Sequence, residues 1–198
     1  HKHIAEEPAH ARERGHPPWM LARGGPGLGK PMTVDRLRAA SSEERIAWLA
    51  SAAELLLRDV NDAPGALAES TGLSEAMVAW GARTTLRTVE RDALRALVEE
   101  TRMTGSEPIA SLSIVLAGNL FTASVRAVVV PLLLGIPVTV KASSRETRFP
   151  TMFRDALRRA NAELGNAMEL VTFAGGEVQL ETALIEGAEA TAVYGSDS

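Results

Sequence analysis

The chain has 198 residues, 45% of them apolar and 23% charged, with a formal net charge of -4. This composition is that of a globular protein long enough to bury a core, and it excludes a disordered or fibrous chain. The 21 basic and 25 acidic residues give no overall field to attract nucleic acid or an anionic membrane, and the absence of cysteine excludes disulfides, thiolate metal sites and a cysteine nucleophile.

Residues 125–136 form the most apolar run, but it contains Arg126 and Pro131 and is shorter than the ~18–20 residues that cross a bilayer. The N-terminus lacks the apolar core of a signal peptide. We therefore expect a cytoplasmic protein with no membrane span. Because the sequence lacks an initiating Met and stops directly after a strand-like run, we also expect that it is processed or incomplete.

Residues 1–32 show neither the period of a strand nor that of a helix, so we predict a flexible N-terminal arm. The histidines of the chain lie here, at His1, His3, His10 and His16. Their spacing fits no compact site, so we predict no metal. Residues 24–30 satisfy the GxxxxGK pattern of a phosphate-binding loop, but Pro31 replaces the hydroxyl residue that holds Mg²⁺. We interpret this run as a linker and not as an NTPase site.

Residues 33–107 have a helical pattern. Ser41 and Glu44 form a capping box, and Pro64 with Gly65 ends the helix that follows. The apolar residues of this helix are Ile46, Leu49, Ala53, Leu56, Leu57 and Val60. Ser74 can cap a second long helix, which carries on one side Met77, Trp80, Leu86, Val89, Leu94, Leu97 and Val98. We predict a helical N-terminal region that ends near residue 107.

Residues 108–198 alternate between strands and helices. Short apolar runs predict strands at residues 111–117, 138–141, 168–174 and 190–194. The predicted helices between them cover residues 120–134, 147–164 and 178–186. Short glycine-marked loops join these elements, as in parallel βαβ units with right-handed crossovers. We predict a doubly wound α/β domain in which helices cover both faces of the sheet.

Ligands of open parallel sheets bind beyond the carboxyl ends of the strands. The predicted ends are Gly118 with Asn119, residues 141–144, Gly175 with Gly176, and Gly195 with Ser196. Glycine lets a backbone approach a ligand closely, and helix N-termini at this edge favour phosphate. No GxGxxG follows the first strand. The residues alone therefore leave two interpretations open, a cofactor cleft and a set of ordinary turns.

Four segments resemble LuxC-type acyl-CoA reductases, which belong to the aldehyde dehydrogenase superfamily. They are LAGNLF at residues 116–121, VTVKASS at 138–144, AVYGSD at 192–197 and LAESTGLSEAMVAWGARTTL at 67–86. The resemblance covers residues 33–198, and residues 109–197 resemble the first half of the cofactor domain of that superfamily. It implies an aldehyde-dehydrogenase-like α/β fold and the reduction of a fatty acyl thioester, such as an acyl-CoA, to an aldehyde.

The resemblance implies a catalytic role for Asn119. This residue matches the asparagine whose amide helps to stabilise the oxyanion formed when a thiol attacks the acyl carbonyl, although a turn residue after Gly118 is the alternative. The family holds the acyl group on a cysteine, and this sequence has none. We therefore expect either that the catalytic cysteine lies outside the sequence or that activity has been lost.

The resemblance also implies residues that bind the cofactor. Lys141 matches the lysine beside the adenosine ribose, although a solvated lysine at a strand end is the alternative. Ser143 and Ser144 follow in the same segment, and Ser144 stands where NAD-preferring relatives often carry glutamate. Because serine does not repel a 2′-phosphate and Arg145 adds positive charge, we expect NADPH, with NADH as the alternative.

Two pairs of small residues complete the predicted cofactor site. Gly195 and Ser196 match a pair close to the cofactor pyrophosphate, and Gly175 and Gly176 would let the backbone approach the adenine. Turn geometry alone is the alternative for these glycines. A second function also stays open, that of a truncated, non-catalytic module that binds a nucleotide or a partner chain. The open edge of an incomplete sheet predicts homo-oligomers or other association.

Overall fold

The computed structural model describes residues 34–104, 109–116, 118 and 121–194. The predicted N-terminal arm and its glycine-rich run lie outside the described residues. Asn119, Gly195 and Ser196 also lie outside them. None of the described helices is long and apolar enough to cross a membrane.

The first part of the described chain is helical, as predicted. Its elements are α1 (Asp35–Ala39), α2 (Ser42–Asp62), α3 (Pro64–Thr71), α4 (Glu75–Leu86), a 3-10 turn (Arg87–Val89) and α5 (Arg91–Thr104). The capping box before α2 is confirmed, since Glu44 N donates to Ser41 Oγ at 3.2 Å and Ser41 N donates to Glu44 Oε2 at 2.8 Å. Pro64 does more than end α2, because its fixed φ suits the first turn of α3.

The prediction of a single long helix from Ser74 is wrong, because the helix is interrupted between α4 and α5. Thr88 Oγ1 donates to the carbonyl of Thr85 at 2.7 Å, and Glu90 is extended with φ -67° and ψ 151°. Leu86, Val89 and Leu94 are buried on both sides of the break. The apolar spacing therefore continues across it, and periodicity alone does not reveal it.

The prediction that Met77 and Trp80 share one side of the helix with Leu86 is also wrong. Val78, Ala82 and Leu86 form the buried side of α4, whereas Met77 is 54% exposed and Trp80 is 70% exposed. Helix α4 thus has apolar residues on two sides, and only one of them packs into the core.

The second part of the described chain is an α/β unit. Its elements are β1 (Leu112–Val115), α6 (Ala123–Leu133), β2 (Val138–Lys141), α7 (Arg148–Ala160), α8 (Ala162–Ala167), β3 (Met168–Val171), α9 (Val178–Glu186) and β4 (Ala190–Val193). The predicted helix over 147–164 is wrong in one respect, since Asn161 interrupts it with φ -160°. The side chain of Asn161 accepts a hydrogen bond from Glu163 N at 2.8 Å and so caps α8.

The four strands form one parallel sheet in the order β3-β2-β1-β4. Leu112 aligns with Val138 on one side and with Ala190 on the other. Right-handed crossovers place α6 and α7 on one face and α9 on the other. Ser113 Oγ donates to the Leu184 carbonyl of α9 at 2.7 Å, whereas Ile114 joins the core on the opposite face. The predicted doubly wound α/β fold is confirmed.

Helix α2 connects the helical region to the sheet. It packs most extensively against α7, and its buried side includes Ile46, Leu49 and Leu56. The half-buried Arg45 at its start donates to the carbonyl of Leu133 at 2.8 Å and to the carbonyl of Leu37 at 3.0 Å. The two regions therefore share one hydrophobic core.

Candidate functional site

The carboxyl ends of the four strands lie at one edge of the sheet. Pairing continues just beyond the strands, since Leu116 N donates to the Lys141 carbonyl, Ala142 N to Val171 and Tyr194 N to Val115, at 2.9–3.0 Å. The chain runs from β1 to β3 in one direction and then returns to place β4 on the other side of β1. The crevice between the ends of β1 and β4 is therefore the topological switch point, where ligands of such sheets bind.

The loops after β1 and β2 are in direct contact. A Cβ atom on Gly118 would lie 2.4 Å from Ser143 Oγ and 3.6 Å from Arg145 Cβ. The first distance is inside van der Waals contact, so any side chain at residue 118 would require Ser143 to move. Close approach of two loops is thus the structural reason for Gly118, and it brings residue 118 beside the predicted cofactor segment. The predicted oxyanion donor Asn119 is next in the chain but lies outside the described residues.

The loop after β2 makes a tight turn that presents two serines. Arg145 N donates to Ser143 Oγ at 3.2 Å, and Ser143 pairs with Glu146 in an isolated antiparallel bridge. Ser144 is exposed at the tip of this turn. The structure thus places Ser143 against the β1 loop and Ser144 towards solvent at the same sheet edge.

Lys141 is the last residue of β2 and is only 8% exposed. Its Nζ atom lies 4.9 Å from the centroid of the Phe173 ring, which follows β3. A cation over an aromatic face is attracted by the ring quadrupole. The structure therefore holds the Lys141 ammonium at the ends of β2 and β3.

The loop after β3 contains both predicted adenine-side glycines. Gly176 has φ +85°, a left-handed conformation that favours glycine, whereas a Cβ on Gly175 would meet no atom within 4 Å. Gly176 N donates to Glu181 Oε1 and Ala174 N to Glu177 Oε1, both at 3.0 Å. Two backbone amides of this loop thus already donate to carboxylates and are not available to a phosphate. The loop therefore suits an uncharged ligand group better.

A cavity of about 710 Å³ lies between α3 and α4 and the loops after β1 and β2. Its apolar lining comprises Leu73, Met77, Trp80 and Phe121. The residues Ser70, Thr71, Thr84, Thr85 and Thr122 also line it. Gly118, Arg145 and Glu146 lie at its sheet end. The exposed Met77 and Trp80 are therefore explained as parts of a cavity wall.

Sequence reasoning missed this cavity. A methionine and a tryptophan three residues apart have the spacing of a core-facing helix side. The available signal was the number of apolar positions on α4, since Val78, Ala82 and Leu86 already supply a complete buried side. Further large apolar residues on the same helix then indicate a second apolar surface.

Glu146 is the acidic residue at the sheet end of the cavity and is only 7% exposed. Burial raises the pKa of its carboxyl, while hydrogen bonds from the Phe149 and Arg148 amides and the charge of Arg148 act in the opposite direction. Its Oε1 atom accepts from Phe149 N at 2.9 Å. The carboxyl therefore binds the amides that begin α7.

The sequence matches a family model. The model of the acyl-CoA reductase (LuxC) family matches residues 95–198, which is more than half of the chain. Among curated proteins, none matches the sequence. The family match includes every predicted site residue.

The fold is similar to that of solved aldehyde dehydrogenases. A salicylaldehyde dehydrogenase from Pseudomonas putida, complexed with salicylaldehyde, is 15% identical with a TM-score of 0.64, over 81% of this chain and 36% of that one. A NAD-dependent benzaldehyde dehydrogenase from Corynebacterium glutamicum is 14% identical with a TM-score of 0.64, over 81% and 43%. An NADP-dependent glyceraldehyde-3-phosphate dehydrogenase from Bacillus halodurans, complexed with NADP, is 16% identical with a TM-score of 0.65, over 77% and 35%.

At such low sequence identities, these structural similarities establish the fold alone. The chain spans between 35% and 43% of the length of these three structures. The aldehyde-dehydrogenase-like α/β fold expected from the sequence is thereby confirmed.

Proposed function

Because this chain belongs to the LuxC family of acyl-CoA reductases, we propose that it forms the N-terminal part of an enzyme that reduces a long-chain fatty acyl thioester to an aldehyde with NADPH. In this proposal residues 33–107 are the helical region and residues 108–198 are the first half of the cofactor domain. The observation that carries it is the meeting of Gly118, Lys141 and Ser143 at the carboxyl edge of the sheet, beside an apolar cavity.

The described residues fit the adenosine end of a dinucleotide. The Lys141 ammonium is held at the ends of β2 and β3, where it would donate to a ribose hydroxyl. Ser143 and Ser144 would line the same position, and Gly175 and Gly176 would lie beside the adenine. Gly195 and Ser196, which lie outside the described residues, would bind the pyrophosphate.

The preference for NADPH over NADH depends on Ser144. Its exposed hydroxyl places no negative charge at the sheet edge, so a 2′-phosphate meets no repulsion there. Carboxylates at this position favour the cofactor without that phosphate. The NAD-dependent benzaldehyde dehydrogenase and the NADP complex of the Bacillus halodurans enzyme both support a nicotinamide cofactor, and the preference between the two cofactors rests on Ser144.

Asn119 would donate its side-chain amide to the oxygen of the acyl carbonyl as negative charge develops there. One such donor contributes about 3–4 kcal/mol to lowering the barrier. When bound, a nicotinamide cofactor would supply the hydride for this reduction. Since the sequence contains no cysteine, we propose that the thiol that carries the acyl group belongs to protein outside these 198 residues.

The acyl chain would lie in the cavity beside Gly118. Leu73, Met77, Trp80 and Phe121 give it an apolar wall, and Gly118, the residue before the predicted oxyanion donor, lines the same cavity. Burial of an alkyl chain contributes about 0.8 kcal/mol per methylene. The acyl chain would then cover the exposed apolar residues of α4.

The cofactor assignment is tested by Ser144→Glu in the reductase that contains this sequence. We expect the KM for NADPH to rise about 10-fold or more while the KM for NADH changes little, because a carboxylate repels the 2′-phosphate. Asn166→Glu is the matched control, since residue 166 is exposed on α8, which ends at the opposite edge of the sheet.

Equal effects of both substitutions on both cofactors would contradict the assignment. Binding of NADPH without any acyl-CoA-dependent oxidation of it would instead favour the second function, a non-catalytic nucleotide-binding module.

A further inference from the structure

Lys141 is a buried cation without a carboxylate partner among the described residues. Only 8% of the residue is exposed, and it forms no ion pair within that part of the chain. Two carboxylates that follow β3, those of Glu177 and Glu181, accept hydrogen bonds from Ala174 N and Gly176 N. A buried charge is costly unless another group compensates for it. The charge of Lys141 therefore needs a different partner, in the protein or in a ligand.

The aromatic ring of Phe173 compensates for this charge in part. Lys141 Nζ lies 4.9 Å from the ring centroid, within the ~6 Å over which a cation and an aromatic face attract each other. Phe173 is also only 8% exposed, and this attraction is stronger for a desolvated pair. A neutral ring attracts the ammonium without neutralising it. The positive charge and the N–H donors of Lys141 are therefore left to a ligand.

The backbone on both sides of Phe173 is held in place. Ala142 N donates to the carbonyl of Val171 at 3.0 Å, which extends the pairing of β2 and β3 beyond Lys141. After Phe173, Ala174 N donates to Glu177 Oε1 at 3.0 Å. The ring is thus attached to a backbone that is anchored on both sides, and it forms a fixed support for the Lys141 side chain.

We propose that Phe173 is a positioning residue for the cofactor, whose ring holds the Lys141 ammonium where the ribose and the 2′-phosphate of NADPH bind. The inference rests on the proposed function, which assigns Lys141 to the ribose. An ammonium that is already held in place loses less side-chain freedom when the cofactor binds, so the ring increases affinity through Lys141. A carboxylate in place of the ring would also hold Lys141, but it would cancel the charge that attracts a phosphate.

Calorimetric titration of the reductase that contains this sequence with NADPH and with NADH tests this inference. We expect Phe173→Leu to raise the Kd for NADPH about 3- to 10-fold, because leucine is apolar but has no ring quadrupole. The Kd for NADH should rise less, since NADH lacks the 2′-phosphate, and kcat should not change. Phe173→Tyr keeps an aromatic face and should retain the wild-type affinity.

A double-mutant cycle with Lys141→Met shows whether Phe173 acts through the ammonium. In the Lys141→Met background, Phe173→Leu should have no further effect on the Kd for NADPH, because the cation is already absent. A role of Phe173 in packing alone would raise the Kd by the same factor in both backgrounds, and that result would overturn the inference.

Phe153→Leu is the matched control, because Phe153 is a buried phenylalanine of α7 that packs in the core. This variant should lower thermal stability without changing the Kd for NADPH. An equal rise in Kd in Phe153→Leu, an unchanged Kd in Phe173→Leu, or a loss of affinity in Phe173→Tyr would overturn the inference alone. Binding of neither NADPH nor NADH by the wild type would overturn it together with the proposed cofactor site.

Discussion

Gly118 and Ser143 are in direct contact where the loops after β1 and β2 meet. A side chain on Gly118 would begin 2.4 Å from Ser143 Oγ, and the same serine oxygen accepts from Arg145 N. A change at residue 118 therefore displaces the turn that carries Ser144 and Arg145. The contact couples the predicted catalytic loop to the predicted cofactor loop.

Gly118→Ala should cost about 1–3 kcal/mol of unfolding free energy, the range for overpacking a well-packed site. Ser143→Gly removes the obstructing hydroxyl, so the double variant should recover part of this loss. Gly175→Ala is the control, because no atom lies within 4 Å of its added methyl group. Urea denaturation compares these four variants with the wild type, and strictly additive losses in the double variant would contradict the contact.

Glu146 makes stability depend on pH. Burial raises the pKa of this carboxyl in the folded state, so its favourable contribution is full below the unfolded pKa of about 4.3 and is lost as the pH rises through the folded pKa. Glu146→Gln keeps an oxygen to accept from Phe149 N and removes the charge. Above the folded pKa, we expect the variant to be at least as stable as the wild type. Between the unfolded and the folded pKa, the variant should lack the fall in stability that ionisation of Glu146 causes in the wild type.

Thermal denaturation of both proteins across a series of pH values measures this effect. A wild-type midpoint that rises on ionisation of Glu146, relative to the variant, would contradict the raised pKa.

At the scale of elements, apolar spacing predicted which segments form helices and strands but not where the helices break. The break after α4 and the break at Asn161 both fall inside continuous apolar patterns, such as Leu157 to Leu164. Local bonds of Thr88 and Asn161 set these breaks, and these bonds have no periodicity. Parallel strands were predicted because continuous apolar runs between helices are typical of strands that helices cover on both faces.

Less of the candidate site than of the fold was predictable from the sequence. Strand ends marked by glycine, together with the family resemblance, led to Gly118, Lys141 and Ser143, and the structure brings them to one edge. The cavity was missed, because Met77 and Trp80 have the spacing of core residues. Only the packing of α4 distinguishes its buried side from its cavity side.

Arg45 connects three elements and carries a prediction at this scale. Its guanidinium donates to the carbonyls of Leu37, Ala40 and Leu133, at the ends of α1 and α6. Arg45→Met would leave these carbonyls without a donor, and we expect a loss of about 2–4 kcal/mol in unfolding free energy.

Arg58→Met on the exposed side of α2 is the control and should change stability by less than about 0.5 kcal/mol. Chemical denaturation compares the two variants. Similar unfolding free energies for the two variants would contradict this prediction and would mean that water donates to the carbonyls in place of Arg45.

At the scale of the whole molecule, one edge of the sheet carries exposed apolar residues. Strand β4 pairs with β1 and has no second partner strand among the described residues. Val193 on β4 is 69% exposed, and Val178 and Ile185 on α9 are also exposed. Exposed, apolar edge strands promote pairing between chains.

For the 198-residue chain taken alone, we expect association through this edge, and Val193→Lys should weaken it because a charged edge residue opposes strand pairing. Sedimentation velocity over a range of concentrations measures it, with Glu186→Lys on α9 as a charge control. A wild type that stays monomeric, or an association that is unchanged by Val193→Lys, would contradict this interface.

The reduction of dodecanoyl-CoA by the enzyme that contains these 198 residues tests the central proposal most directly. We predict acyl-CoA-dependent oxidation of NADPH that forms the aldehyde, with kcat lowered about 100- to 1000-fold by Asn119→Ala, because the oxyanion loses one donor. Lys141→Met should instead raise the KM for NADPH. No acyl-CoA-dependent oxidation of either NADPH or NADH by the wild type, or an unchanged kcat in Asn119→Ala, would contradict the account.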